Sequence, residues 1–92
     1  KVGDNVIYPT LGLCGESGEV AEKVKKVIRD KEGKFDENTR QNLKLELGDV
    51  LWYISQLSSE LGFTLEEIAS ENIEKLKSRA ERNRISGDGD NR

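Results

Sequence analysis

Apolar residues recur along this chain at helical spacing, and nowhere do they alternate with polar ones as a half-buried strand would require. Leu13, Val20, Val24, Val27 and Ile28 lay one apolar face along a helix predicted from Thr10 to Asp30. Pro9 stands just before that start, where proline is tolerated. Lys31 to Asn38 is polar, holds Gly33, and reads as a connection. Beyond it, Leu43, Leu47, Val50, Ile54, Leu57 and Leu61 follow each other in steps of four and three, a stripe sustained over several helical turns. Gly62 ends this second helix at the C′ position that glycine favours. A third helix starts at a capping box, with Thr64 as N-cap and Glu67 at N3. Phe63 and Ile68 occupy the two positions of a hydrophobic staple. This helix is expected to run to about Arg82, followed by a polar, glycine-rich arm over 85–92.

The fold class that follows is all-α, a single domain over 1–92 built as an antiparallel helical bundle. Three helices with strong apolar faces close a compact core poorly. A second copy of the chain, a further helix ahead of Lys1, or both would complete it. Leu47, Val50, Ile54 and Leu57 are therefore expected to be buried, partly between chains.

Two acidic motifs interrupt these helices: Glu16-Ser17-Gly18-Glu19 and Glu46-Leu47-Gly48-Asp49. Residues at i and i+3 share a helical face, so each motif offers two carboxylates to one neighbour. Packed together, the two helices would gather four carboxylates, which repel one another and need a counter-charge. The chain has no histidine and a single cysteine, Cys14, which removes the usual nitrogen and sulfur metal sites. All-oxygen ligation fits Mg²⁺, Mn²⁺ or Ca²⁺, and a site of two or three carboxylates per ion with waters in the remaining positions suits Mg²⁺ best, with Mn²⁺ as a substitute. The glycines within both motifs cost helix stability and suggest close approach of neighbouring helices there. Two solvated carboxylate pairs would be the plainer explanation in a chain with 18 acidic residues.

Charged residues make up 36% of the chain and hydrophobic ones 34%, as expected for amphipathic helices with solvated outer faces. The net charge of -3 and pI near 5.0, without a basic stripe, argue against a nucleic-acid polymer as partner. No apolar run is long enough to span a membrane, no signal peptide is visible, and a lone cysteine agrees with a reducing cytoplasm.

Glu46, Asp49 and Tyr53 lie on one face of the second helix, while Asn72, Lys75 and Arg79 share a stripe of the third. A cationic pair beside a carboxylate-held metal suits a polyphosphate. Lys75 and Arg79 could instead bridge to Glu71 or Glu74. Trp52 and Tyr53 are candidates for contact with a base or for the core. Asn72 is a candidate for a phosphate or sugar contact or a helix–helix hydrogen bond, and Arg92 for an arm closing over the phosphates.

Taken in order, Leu11-Gly12-Leu13-Cys14-Gly15 leading into Glu16-x-x-Glu19, the spacer from Val20 to Leu45, Glu46-x-x-Asp49, Lys75-x-x-x-Arg79 and Gly89-Asp90-Asn91-Arg92 resemble the MazG-like all-α nucleoside triphosphate pyrophosphohydrolases. The resemblance covers the chain from about Tyr8 onward. It implies a bundle completed by dimerisation, with dimers often paired into tetramers. It also implies Mg²⁺-dependent cleavage of a (deoxy)nucleoside triphosphate to the monophosphate and pyrophosphate. Glu16, Glu19, Glu46 and Asp49 match the family's metal ligands, and Lys75 and Arg79 its phosphate contacts. The resemblance further implies a leading helix that helps to shape the base pocket, expected ahead of Lys1. A non-catalytic metal-binding helical dimerisation module is the alternative, motivated by the short chain and the long stripe of the second helix.

Overall fold

The computed structural model describes residues 3–86, and every regular element among them is α-helical. The helices are α1 (Ile7–Asp30), α2 (Glu37–Glu60) and α3 (Leu65–Ser86). The first two pack into one compact unit and α3 belongs to a second.

α1 begins three residues earlier than the apolar spacing implies, so Pro9 lies inside its first turn, at N3. The first four N–H groups of a helix have no intrahelical acceptor, and a proline there forfeits nothing. The ladder opens with Thr10 N–H donating to the carbonyl of Val6, at 3.1 Å. At the far end, Lys31 and Gly33 both donate to the Val27 carbonyl, and the left-handed φ of Glu32 (56°) and Gly33 (74°) turns the chain back.

α2 starts where Asp36 caps it, accepting 2.8 Å from the Thr39 amide. It ends with Leu61 donating to Leu57 and Ser58, and with Gly62, φ 86°, donating to Ser59. Gly62 is thus the left-handed C′ residue expected of it. Antiparallel pairing of α1 and α2 is fixed at both ends. Gly3 N–H reaches the Glu60 carbonyl at 2.7 Å, and Lys31 Nζ donates to the buried Thr39 hydroxyl at 3.2 Å.

The enclosed positions of α1 include the series Pro9, Leu13, Glu16, Val20, Lys23 and Val27. On α2 a matching series of enclosed positions runs Thr39, Leu43, Glu46, Val50, Tyr53 and Leu57, with Ser58 beside Leu57 buried to 2% exposure. Both series keep the alternating steps of four and three that hold a straight seam between two helices. The seam of α2 is nevertheless rotated from the leucine stripe: Glu46 lies inward with its side chain 20% exposed, while Leu47 is 55% exposed. Burial of Leu47 within the chain, expected from the stripe, is therefore not found, whereas Val50, Ile54 and Leu57 are half-buried. Val27, at 5% exposure, is the one buried hydrophobic core side chain among the described residues, and no large side chain among them is fully enclosed.

In the other unit, Thr64 and Glu67 form the capping box in full. The Thr64 amide donates to Glu67 Oε1 at 2.8 Å, and the Glu67 amide to Thr64 Oγ1 at 3.1 Å. α3 continues past the expected end at Arg82 to Ser86, so Ile85 and Ser86 belong to the helix rather than to an arm. Residues 87–92, with Arg92, lie outside the described residues.

Candidate metal centre

Glu16 on α1 and Glu46 on α2 occupy seam positions where a leucine would otherwise pack, and Asp49 stands one turn beyond Glu46. Antiparallel packing brings one carboxylate oxygen from each of the three within 4.8 Å of the others. Glu16 and Glu46 are half-buried and Asp49 is exposed, so the cluster opens to solvent on one side. Three convergent carboxylates form a hard, all-oxygen donor set, and water can reach the remaining positions around an ion. The donor chemistry therefore fits a hard divalent cation.

Electrostatics at Glu16 record the crowding. Its carboxyl is pushed above its ordinary value of 4.5, first by loss of water around it, then by the negative charges of Asp49, Glu46 and Glu19. A hydrogen bond shared with Glu46 adds to the shift by holding the proton. Glu19 does not join the cluster; among the described residues its carboxylate stays exposed beside it. Glu19 and Asp49 each lie three helical steps, about 60° round the helix, from the seam residue of their motif, and of the two only Asp49 brings an oxygen into the cluster.

Tyr53 borders the same end of the hairpin. Its ring stands edge-on to Tyr8, centroids 6.0 Å apart, and passes so close to Gly12 that a Cβ there would lie 2.6 Å from Tyr53 Cδ1 and Cζ. Gly12 is the point where the helices need a glycine. A Cβ at Gly15, Gly18 or Gly48 would meet open space, so the close approach expected at the motif glycines is absent from this hairpin. The Tyr53 hydroxyl is raised above its ordinary 10.0, first by hydrogen bonding to Tyr8, then by the charge of Tyr8, by partial burial, and by Glu16 and Asp49. Trp52, the next residue round α2, is 60% exposed.

On α3, Asn72 and Lys75 line a shallow depression with Ile68 and Glu71, and Arg79 is half-buried one turn further on. Among the described residues, neither Lys75 nor Arg79 is ion-paired with Glu71 or Glu74.

Two contributors escaped the sequence reasoning. Tyr8 is the ring partner of Tyr53, and Lys23 forms an ion pair across the seam, Nζ to Glu46 Oε2, at 3.7 Å. Lys23 did leave a signal: seven residues beyond Glu16 and four before Val27, it breaks the four–three apolar alternation of α1.

No helix among the described residues is long and apolar enough to cross a membrane. No solved structure matches the chain. The chain is 47% identical over 89 residues to the Gene 37 protein of Mycobacterium phage L5, an alignment spanning 97% of this chain and 78% of that protein. The family model of the MazG nucleotide pyrophosphohydrolase domain matches residues 9–83, which include both acidic motifs and the Lys75–Arg79 pair. With carboxylates from both motifs converging on one point and most of the chain matched, the protein belongs to the MazG nucleotide pyrophosphohydrolase family.

Proposed function

We propose that this chain hydrolyses (deoxy)nucleoside triphosphates to the monophosphate and pyrophosphate in the presence of Mg²⁺, clearing surplus or noncanonical nucleotides from the cytoplasmic pool. The observation that carries this reading is the convergence of Glu16, Glu46 and Asp49 from two helices within 4.8 Å. In it, these three hold the metal, with Glu19, one helical turn from Glu16, available as a further ligand. Bound there, Mg²⁺ or Mn²⁺ supplies charge neutralisation for the phosphates and acidifies a water.

The chain's own groups do the rest. A carboxylate of the cluster accepts the proton of the water that attacks the α-phosphorus in line with the departing pyrophosphate. Lys75 and Arg79 bind phosphate oxygens, and Asn72 a phosphate or the sugar. Tyr53 and exposed Trp52 offer flat surfaces to the base. A homodimer, or dimers paired into tetramers, agrees with the apolar residues left exposed on α1 and α2, among them Leu11, Leu47 and Leu51.

The test is a substrate panel. With Mg²⁺ and common and modified ribo- and deoxynucleoside triphosphates, the expected products are pyrophosphate and a monophosphate. Orthophosphate release would indicate a different phosphohydrolase. No product from any triphosphate, with either Mg²⁺ or Mn²⁺, would leave a non-catalytic metal-binding module.

A further inference from the structure

Lys23 stands at a seam position of α1, and such a lysine ordinarily runs its methylenes along the apolar surface and puts its charge in water. This one crosses to α2. Its ammonium meets Glu46 Oε2 at 3.7 Å, the two side chains being 40% and 20% exposed. Among the described residues it is the one cation ion-paired with a member of the carboxylate triad. Lys26, one turn on, lines the same groove at the closed end of the hairpin but pairs with Glu22, at 3.9 Å, away from the triad.

We propose that Lys23 is the built-in counter-cation of the metal-free triad, and that a divalent cation binds only by displacing that charge from Glu46. The proposal rests on the triad being the metal site. In the free protein three carboxylates repel one another, and the lysine relieves part of that repulsion. An arriving divalent ion finds Glu46 already paired and is itself repelled by the ammonium at short range. A group that stabilises the metal-free state more than the bound one lowers metal affinity by the same factor. Lys23 thus holds the folded, empty site together while raising the concentration at which free metal fills it.

Mn²⁺ binding to the full chain without nucleotide, followed by the paramagnetic signal of free Mn²⁺, tests this directly. Lys23→Met keeps length and helix propensity but removes the charge. It should bind Mn²⁺ about two- to fivefold more tightly, the size expected of a solvent-accessible ion pair. It should also melt lower than wild type in chelator, with the difference shrinking at saturating Mn²⁺. Lys23→Arg should bind as wild type does, and Lys26→Met should leave the affinity unchanged. Equal or weaker Mn²⁺ binding by Lys23→Met overturns the proposal, since a lysine that orients Glu46 as a ligand would act in that direction. Equal tightening in Lys26→Met also overturns it, because net charge alone would then explain the gain. Should Lys23→Met fail to fold, Lys23→Gln carries the same comparison. Failure of the wild type to bind Mn²⁺ at millimolar concentration sinks the metal site itself, a result distinct from binding that is indifferent to Lys23.

Discussion

At Glu16, desolvation and three neighbouring carboxylates act in the same direction, so the ionised side chain opposes folding when no metal is present. Glu16→Gln removes that opposition while keeping the shape. In chelator at neutral pH the variant should melt above wild type; in Mg²⁺ it should gain less and lose turnover. The pH dependence has a definite sign. The folded pKa is raised above the unfolded value of 4.5, so protonation favours the fold, and the wild-type deficit shrinks as pH falls through the raised pKa towards 4.5. Melting curves in chelator from neutral pH down to about 4.5 should show wild type converging on Glu16→Gln. A gap independent of pH would mean that the carboxylates do not interact. Gly12 poses a steric question instead. Gly12→Ala drives a methyl into the Tyr53 ring and should cost about 1–3 kcal/mol, as overpacking does. Combining it with Tyr53→Ala should cost less than the two single changes summed. Additive losses would show that the ring swings aside freely.

Both internal helix starts are set by side chains that bond the first-turn amides, and each can be tested alone. Thr64→Ala deletes the acceptor of the Glu67 amide and should cost about 1 kcal/mol, or roughly 4–8 °C in Tm if the chain unfolds in one transition. Thr64→Ser should restore most of it, and an unchanged Tm would show that α3 contributes little to the measured transition. Asp36 does the same at α2. The Thr39 amide holds its carboxyl below the ordinary value of 3.8, so its stabilisation is present above that value and disappears as pH falls through the lowered one. Over the range used for Glu16 this contribution is constant and identical in both proteins. Within α2, rotation of the seam places Glu46 inward and Leu47 outward, so the helix carries an acid on its packed side and leucines at 47 and 51 on its open side.

For the whole molecule the decisive quantity is apolar area left uncovered. A hairpin whose one buried hydrophobic residue among the described positions is Val27, with Ile7, Leu11, Leu47, Leu51 and Trp52 all more than half exposed, has little core of its own. Equilibrium sedimentation at micromolar concentration should give at least twice the 10.3 kDa chain mass. Leu47→Glu should shift the population toward the monomer and lower the melting temperature together with activity. Compact, stable monomer in the wild type would refute assembly through these residues.

Local and periodic information was enough for the three helices and the capping box at Thr64, because spacing, glycine at C′ and short polar caps act within a few residues of themselves. That carboxylates of both acidic motifs would meet was equally legible, since the i, i+3 spacing sets each pair on one side of its helix. The start of α1 was misplaced because Pro9 signals a boundary whether it lies before the helix or within its first turn. Tertiary packing alone decided the rotation of α2. The Leu43–Leu61 stripe and the seam containing Glu46 and Tyr53 have nearly the same period, and a helix with apolar residues on two sides does not specify which one faces its neighbour. From that rotation follow the convergence of Glu46 and Asp49 on Glu16, the need for glycine at position 12 and not at 18 or 48, and the Lys23–Glu46 pair. Each is a contact between residues far apart in sequence, and the physics that fixes it is the distance between two packed helices.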